Sequence, residues 1–134
     1  MQDLLIDKAV SLRDTTQKLK DLAQLYAHGI SMSDPKVMLP LHDACATCVE
    51  MGAIYLDACH DQAGKQTHQI FDTLVGLEVI DRSLSRRLLS LISFGKLVQH
   101  AQRIKGKKCN VHLQEKHLDD MQTFTENLLM AQPV

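Results

Sequence analysis

Residues 38–59, MLPLHDACATCVEMGAIYLDAC, place an apolar or small side chain at Met38, Leu41, Cys45, Cys48, Gly52, Tyr55 and Cys59. Steps of 3-4-3-4-3-4 keep one stripe of an α-helix on one face, so the stretch predicts a long helix packed along a single seam. Asp34-Pro35 reads as an N-cap with proline at the first helical position. Pro40 falls inside the pattern, so the helix either bends there or begins nearer Leu39. The residues alone leave both open. Gly64 closes the segment.

The same period recurs on either side. Upstream, Leu5, Ala9, Leu12, Thr16, Leu19, Ala23 and Tyr26 step 4-3-4-3-4-3 and should fade at His28-Gly29. Downstream, the run from Thr67 to Val75 predicts a short helix. Asp81 is a plausible cap for another, with its seam at Leu84, Leu88, Leu91, Gly95 and Val98. RIKGKKCN interrupts that pattern. Asn110 then precedes a last helix with Leu113, His117, Met121, Phe124 and Leu128 three or four apart. Nothing alternates with a strand period for any useful length. The expected fold is all-α: one domain over 1–134, an antiparallel up-and-down bundle of four long helices and one short one. Seams this regular also favour coiled-coil-like packing, and the four helices need not satisfy every apolar face internally, which leaves room for two bundles to pair across one face.

Bulk composition agrees. At 134 residues the chain is one domain by size and needs no disulfide or metal to fold. Aromatics make up 4% and Trp is absent, so the core must be built from Leu, Ile, Val, Ala and Met. Acids in MQDLLIDKAV replace the basic start of a signal peptide, and apolar stretches fall short of the ~20 residues a bilayer needs. Four cysteines without a secretory signal fit a reduced, cytoplasmic setting away from any membrane.

The net charge of −1 conceals polarity. Residues 82–108 hold Arg82, Arg86, Arg87, Lys96, Arg103, Lys105, Lys107 and Lys108 and no acid. The remainder carries seven basic and sixteen acidic residues, −9 against +8. Such a segment forms a positive surface if its side chains face one way, and phosphate is the usual partner of such a surface; otherwise it is a solvated face met by an acidic one.

Specific chemistry is sparse. His42-x-x-Cys45-x-x-Cys48 has thiolate and imidazole on roughly one helical face, as zinc requires. Yet both cysteines lie on the seam and no second ligand pair follows, so core packing is the expectation and no metal or cofactor is assigned. A redox CxxC needs a strand before it and a helix N-terminus; this one is mid-helix. Phosphate loops, nucleophile elbows and HExxH are absent. Asp119-Asp120 should face water, and His60, His68, His112 and His117 have no evident partner. One pairing remains. General acid–base cleavage of RNA needs a group titrating near neutrality and a cation for the developing phosphorane charge. His100 can supply the first and Lys96, one turn back, the second.

A resemblance bears on this. LHDACATCVEMGAIYLDAC (41–59), IFDTLVGLEVIDRSLSRRLLSLISFGKLVQH (70–100) and EKHLDDMQTFTENL (115–128) resemble the HepT-like family of the HEPN superfamily over nearly the whole chain. The resemblance implies a dimerising helical bundle with a groove at the subunit contact. Active members are metal-independent ribonuclease toxins. Their antitoxin is a minimal nucleotidyltransferase that can attach AMP to a tyrosine. The family signature is Arg-x-x-x-x-His-x-Tyr, usually within a phrase like FRNxxxHxY. Here Phe94 and His100 match, whereas Gly95 stands at the arginine, Lys96 at the asparagine and Gln102 at the tyrosine.

The departures have physical consequences. Gly95 supplies no cation, Gln102 has no phenol to accept AMP, and a lysine lacks the guanidinium fork that holds phosphate bidentately. The expectation is therefore an RNA-directed toxin-family protein with impaired ribonuclease activity. His100 and Lys96 would be catalytic, with Arg86, Arg87, Arg103, Lys105, Lys107 and Lys108 along the RNA backbone. The alternative is a non-catalytic dimeric binding module that engages a nucleotidyltransferase partner or nucleic acid through 82–108.

Overall fold

The structure, a computed structural model, describes residues 2–25, 30–31, 35–58, 66–105, 112–113 and 115–131, with the backbone path alone for 2, 30–31, 35, 95, 97–105 and 112–113. Five helices run in order: α1 (Gln2–Gln24), α2 (Pro35–Ala58), α3 (Thr67–Gly76), α4 (Arg82–Lys105) and α5 (Glu115–Met130). Two two-residue strands, β1 (Ile30–Ser31) and β2 (His112–Leu113), pair antiparallel, with Ile30 opposite Leu113. They tie the α1–α2 link to the α4–α5 link. The all-α bundle of four long helices and one short one is what the periodicity predicts.

α1 buries Leu5, Ala9, Leu12, Thr16, Leu19 and Ala23, every described member of its seam; Tyr26 lies outside the described residues. α2 settles the question that Pro40 raises: the helix begins at Pro35 and runs through Pro40. Proline at the first position loses nothing, since that N–H has no intrahelical partner. Pro40 sits within the second turn, before the long stretch that packs. The buried stripe of α2 is wider than one seam and takes in Val37, Leu41, Ala44, Cys45, Cys48, Met51, Tyr55 and Leu56. The cause is position, because α2 touches all four other helices. By length and composition alone the 36–58 span could cross a bilayer, its most apolar 18-residue stretch reaching a mean hydropathy of 1.2, which corrects the expectation that no stretch approaches that length. In this bundle its apolar side forms the centre of the core.

Ion pairs mark the antiparallel order. Lys8 early in α1 meets Glu50 late in α2 at 2.6 Å, and Lys20 late in α1 meets Asp119 early in α5 at 3.0 Å. α3 lies against α2 at Gly52, where an added Cβ would stand 2.9 Å from Ile70 Cγ2 and 3.3 Å from Leu74 Cδ1. The missing side chain lets the helices close, and Phe71 of α3 then meets Phe124 of α5 with ring centroids 5.4 Å apart and tilted by 55°.

Helix ends follow local chemistry. Gln69 Oε1 accepts from the Gln66 N–H ahead of α3. At the other end Glu78 N–H donates to Val75 O and Val79 N–H to Leu74 O, closing the helix with Glu78 at φ 61°. Asp81 caps α4 as expected, its Oδ1 accepting from Leu84 N–H at 2.7 Å.

α5 departs from the expected seam. Leu118, Met121, Phe124 and Leu128 are fully buried, while His117 is half-buried and Leu113 belongs to β2. The helix starts at Glu115, so its core stripe begins at the next apolar residue, Leu118. Asp119 and Asp120 do not simply face water. The first pairs with Lys20, the second with Arg87 of α4. Tyr55 donates its hydroxyl to the Ala131 carbonyl, fixing the end of α5 on α2.

Candidate functional site

Apart from Lys107 and Lys108, the residues expected to carry chemistry lie on α4. From the Asp81 cap its first three turns bury Leu84, Ser85, Leu88, Leu91 and Ile92. The helix continues without a break through Gly95, Lys96, His100 and Gln102 to Lys105. His100 is therefore inside a helix rather than at its end. An uninterrupted α-helix puts positions 96 and 100 one turn apart on the same side. The side chains of His100, Arg103 and Lys105 lie outside what is described, as do Lys107 and Lys108 altogether.

Lys96 reaches into a cleft of about 280 Å³ between α4, the first half of α2 and the start of α3. Met38, Leu41, Cys45, Val49 and Ile92 give it apolar walls; His42, Glu50, Thr67 and Lys96 are its polar groups. Glu50 is already matched by Lys8. Among the described residues Lys96 makes no ion pair, so it leaves the cleft with positive charge.

The cysteines behave as core. Cys48 is wholly buried and Cys45 nearly so, while His42 is exposed, so the three do not share one accessible face. Burial pushes the Cys45 thiol up to about 12, against a smaller downward pull from the Lys96 charge. Burial likewise raises the Cys48 thiol, helped by Cys45 beside it. Both are held as neutral thiols, the wrong form for metal ligation or nucleophilic attack.

Arg86 and Arg87 are elsewhere. They line a second, more open cleft of about 430 Å³ between α4 and α5, with Ser90, Phe94, Lys116, His117 and Asp120. Positions 87 and 94 are seven apart and fall on one side of α4. Lys96, two residues on from Phe94, points about 200° away. The basic residues that sequence groups into one run thus serve two faces of one helix. Arg87 is tied to Asp120 at 3.1 Å and to Ser83 Oγ at 2.6 Å. Arg86 and Lys116 are exposed, and among the described residues neither makes an ion pair. Lys116 lies outside the acid-free run and joins Arg86 only because α5 packs on α4. No linear signal marks it. Phe94 and Lys116 stand at the same level, so α4 runs on for nearly three turns past the first turn of α5, and position 100 lies on that extension.

No protein-family model and no curated protein sequence matches the chain. A solved structure does: the crystal structure of a mutant of the toxin–antitoxin MntA–HpeT, at 16% identity and a TM-score of 0.66. The match covers 93% of this chain and 96% of that one. It defines the class by architecture: nearly the whole of this all-α bundle is shared with a protein of a toxin–antitoxin complex. Identity this low establishes the common fold and leaves the chemistry to the residues themselves.

Proposed function

We propose that the chain is a HepT-like HEPN protein, the toxin-family member of a toxin–antitoxin pair. It acts in the cytoplasm as a homodimer directed at RNA, with ribonuclease activity impaired. The observation that carries this reading is the coincidence of two independent signals: a bundle matched over 93% of its length by MntA–HpeT, and the FGKLVQHAQ phrase set on the last turns of α4. In this reading His100 moves the proton. Lys96 neutralises phosphate, and Arg86, Arg103, Lys105, Lys107 and Lys108 hold the backbone electrostatically. Arg87 contributes less, because Asp120 already takes its charge. The partner is a minimal nucleotidyltransferase acting as antitoxin. Gln102 offers no phenol oxygen, so AMP transfer at that position plays no part in neutralisation.

The experiment is incubation of the purified protein with cellular RNA beside His100→Ala and Lys96→Ala variants. Slow cleavage that vanishes in the histidine variant supports the enzyme. Cleavage that survives His100→Ala defeats it. Gly95 and Gln102 favour a second reading, a dimeric binding module without catalysis, and a salt-dependent gel shift without cleavage is its signature. Light scattering behind size exclusion reads the dimer.

A further inference from the structure

We propose that the groove between α1 and α5 is a docking site for a basic amphipathic helix of a partner protein. The bundle itself has no use for the groove's apolar end. α1 already buries every described member of its seam, yet Ile6 and Val10 stand one turn apart outside that seam, 43% and 53% exposed. Single exposed apolar residues are ordinary; these two share a groove of about 430 Å³ with Leu129 of α5. Contacts of Lys20 with Asp119 and of Gln24 with Glu115 fix the register of the antiparallel pair. One step back along α1 is one step forward along α5, so Val10 is level with Leu129 and Arg13 with Glu126. Both helices therefore supply the apolar end. From Ile6 to Lys20 the groove follows fourteen residues of α1, about 21 Å at the rise of an α-helix. That length takes a helix of about four turns, with apolar anchors three or four residues apart to meet Ile6 and Val10.

Charge selects the occupant. Asp3, Asp7, Asp14 and Asp21 recur along the outer side of α1 at steps of four and seven, and Glu126 stands across the groove. All five are exposed and, among the described residues, none makes an ion pair. Arg13 and Lys18 are the unpaired cations on that side, two against five acids, which leaves a net −3. Such a face repels phosphate backbones and anionic bilayers, and it matches lysines and arginines that flank an apolar stripe. A second copy laid face to face would set acid against acid. α1 and α5 form the side of the bundle opposite α2 and α4. A helix seated here leaves the Lys96 cleft open, so the docking stands independently of any RNA chemistry there.

Isoleucine δ1-methyl labelling supplies the test, because Ile6 lines this groove whereas Ile92 lines the cleft between α2 and α4. The probe is an amidated lysine peptide of about 15 residues, with leucine at every third or fourth position. It should shift the Ile6 methyl saturably and leave Ile92 still, with Ile6→Val fixing the assignment. Val10→Ser should weaken binding about fivefold or more through lost apolar contact. Asp7→Asn with Asp14→Asn should weaken it by a similar factor and flatten its salt dependence. The same composition with its leucines shuffled off one stripe should bind about fivefold more weakly, and glutamate in place of lysine should remove binding. An Ile6 methyl that does not move, a midpoint unchanged by Val10→Ser, or a glutamate peptide that binds as tightly would each overturn the site. So would an RNA oligomer that shifts Ile6. A light-scattering mass that falls in Val10→Ser without peptide assigns the face to a second copy and overturns the partner helix.

Discussion

Arg87 donates through Nε to both carboxylate oxygens of Asp120, at 3.2 and 3.1 Å, pinning the start of α4 to the start of α5. Its neighbour Arg86 stands on the same cleft without such a tie. Adjacent arginines in one basic run should therefore separate in experiment. Arg87→Ala should lower stability by about 0.5–1 kcal/mol, the worth of a half-exposed pair with good geometry, and change RNA affinity little. Arg86→Ala should leave the unfolding midpoint in place and reduce the slope of log affinity against log salt by roughly one. Urea melts and salt-titrated gel shifts read the two effects.

The contrast shows what the sequence makes legible. Period alone locates all five helices, and it names the α1 stripe residue by residue, because a surface helix buries one face. It understates α2, whose neighbours on every side bury residues off the seam, and it misplaces the start of the α5 stripe. Asp81 and Pro35 are readable since a cap or a first-turn proline acts through its own backbone. The site is less readable. Lys96 and His100 are paired by helical spacing, a local relation. The split of the basic run over two faces of α4 also follows from spacing, whereas the pairing of Lys8 with Glu50 and the arrival of Lys116 beside Phe94 are made by packing between helices, which no spacing records.

Gly52 is such a packing residue. An alanine there raises helix propensity by about 1 kcal/mol, but its Cβ would stand 2.9 Å from a methyl of Ile70, a β-branched side chain with little rotamer freedom. Overpacking of this kind costs about 1–3 kcal/mol. Gly52→Ala should therefore be net destabilising, by about 1 kcal/mol, in urea denaturation. Gly76, with open space around it, provides the control. Gly76→Ala should be neutral or stabilising.

Glu78 closes α3 in the left-handed region, at φ 61°, where an L-residue is disfavoured by about 1–2 kcal/mol. Its side chain is exposed, so replacement removes no buried contact. Glu78→Gly should raise stability by about 1 kcal/mol despite the extra freedom glycine gives the unfolded chain. An unchanged or lower melting temperature contradicts the cap.

The buried cysteines set an alkaline limit. The Cys45 thiol rises from 9.0 to about 12 on folding, so the folded state keeps a proton that the unfolded chain gives up. The associated stability is complete below pH 9 and is lost as pH climbs from 9 toward 12, by about 1.4 kcal/mol per pH unit while only the unfolded thiol is ionised. Cys48 shifts in the same direction and steepens the decline. Unfolding free energies from pH 7.5 to 10.5 should be level and then fall, with a gentler fall in Cys45→Ala. Alkylation of both thiols by iodoacetamide at pH 7.5 should be slow and should accelerate in urea.

If Gly95 and Gln102 are what impairs cleavage, restoring the missing groups should recover it. Gly95→Arg returns a guanidinium fork one residue before Lys96, and intrinsic helix propensity favours arginine over glycine in a helix interior by up to about 1 kcal/mol. A single well-placed donor to a developing oxyanion is worth roughly a hundredfold in rate; one introduced without its evolved surroundings should recover about tenfold of that. Gly95→Arg with Gln102→Tyr should therefore cut a labelled RNA oligomer about tenfold faster than the parent chain, and adding His100→Ala should abolish the gain. The tyrosine also supplies an acceptor for AMP, so, if the proposed antitoxin is a minimal nucleotidyltransferase, the double variant should be modified by such an enzyme with ATP, read as a mass increase of one AMP unit. A double variant no faster than the parent, with its fold intact by circular dichroism, assigns the chain to the binding module instead.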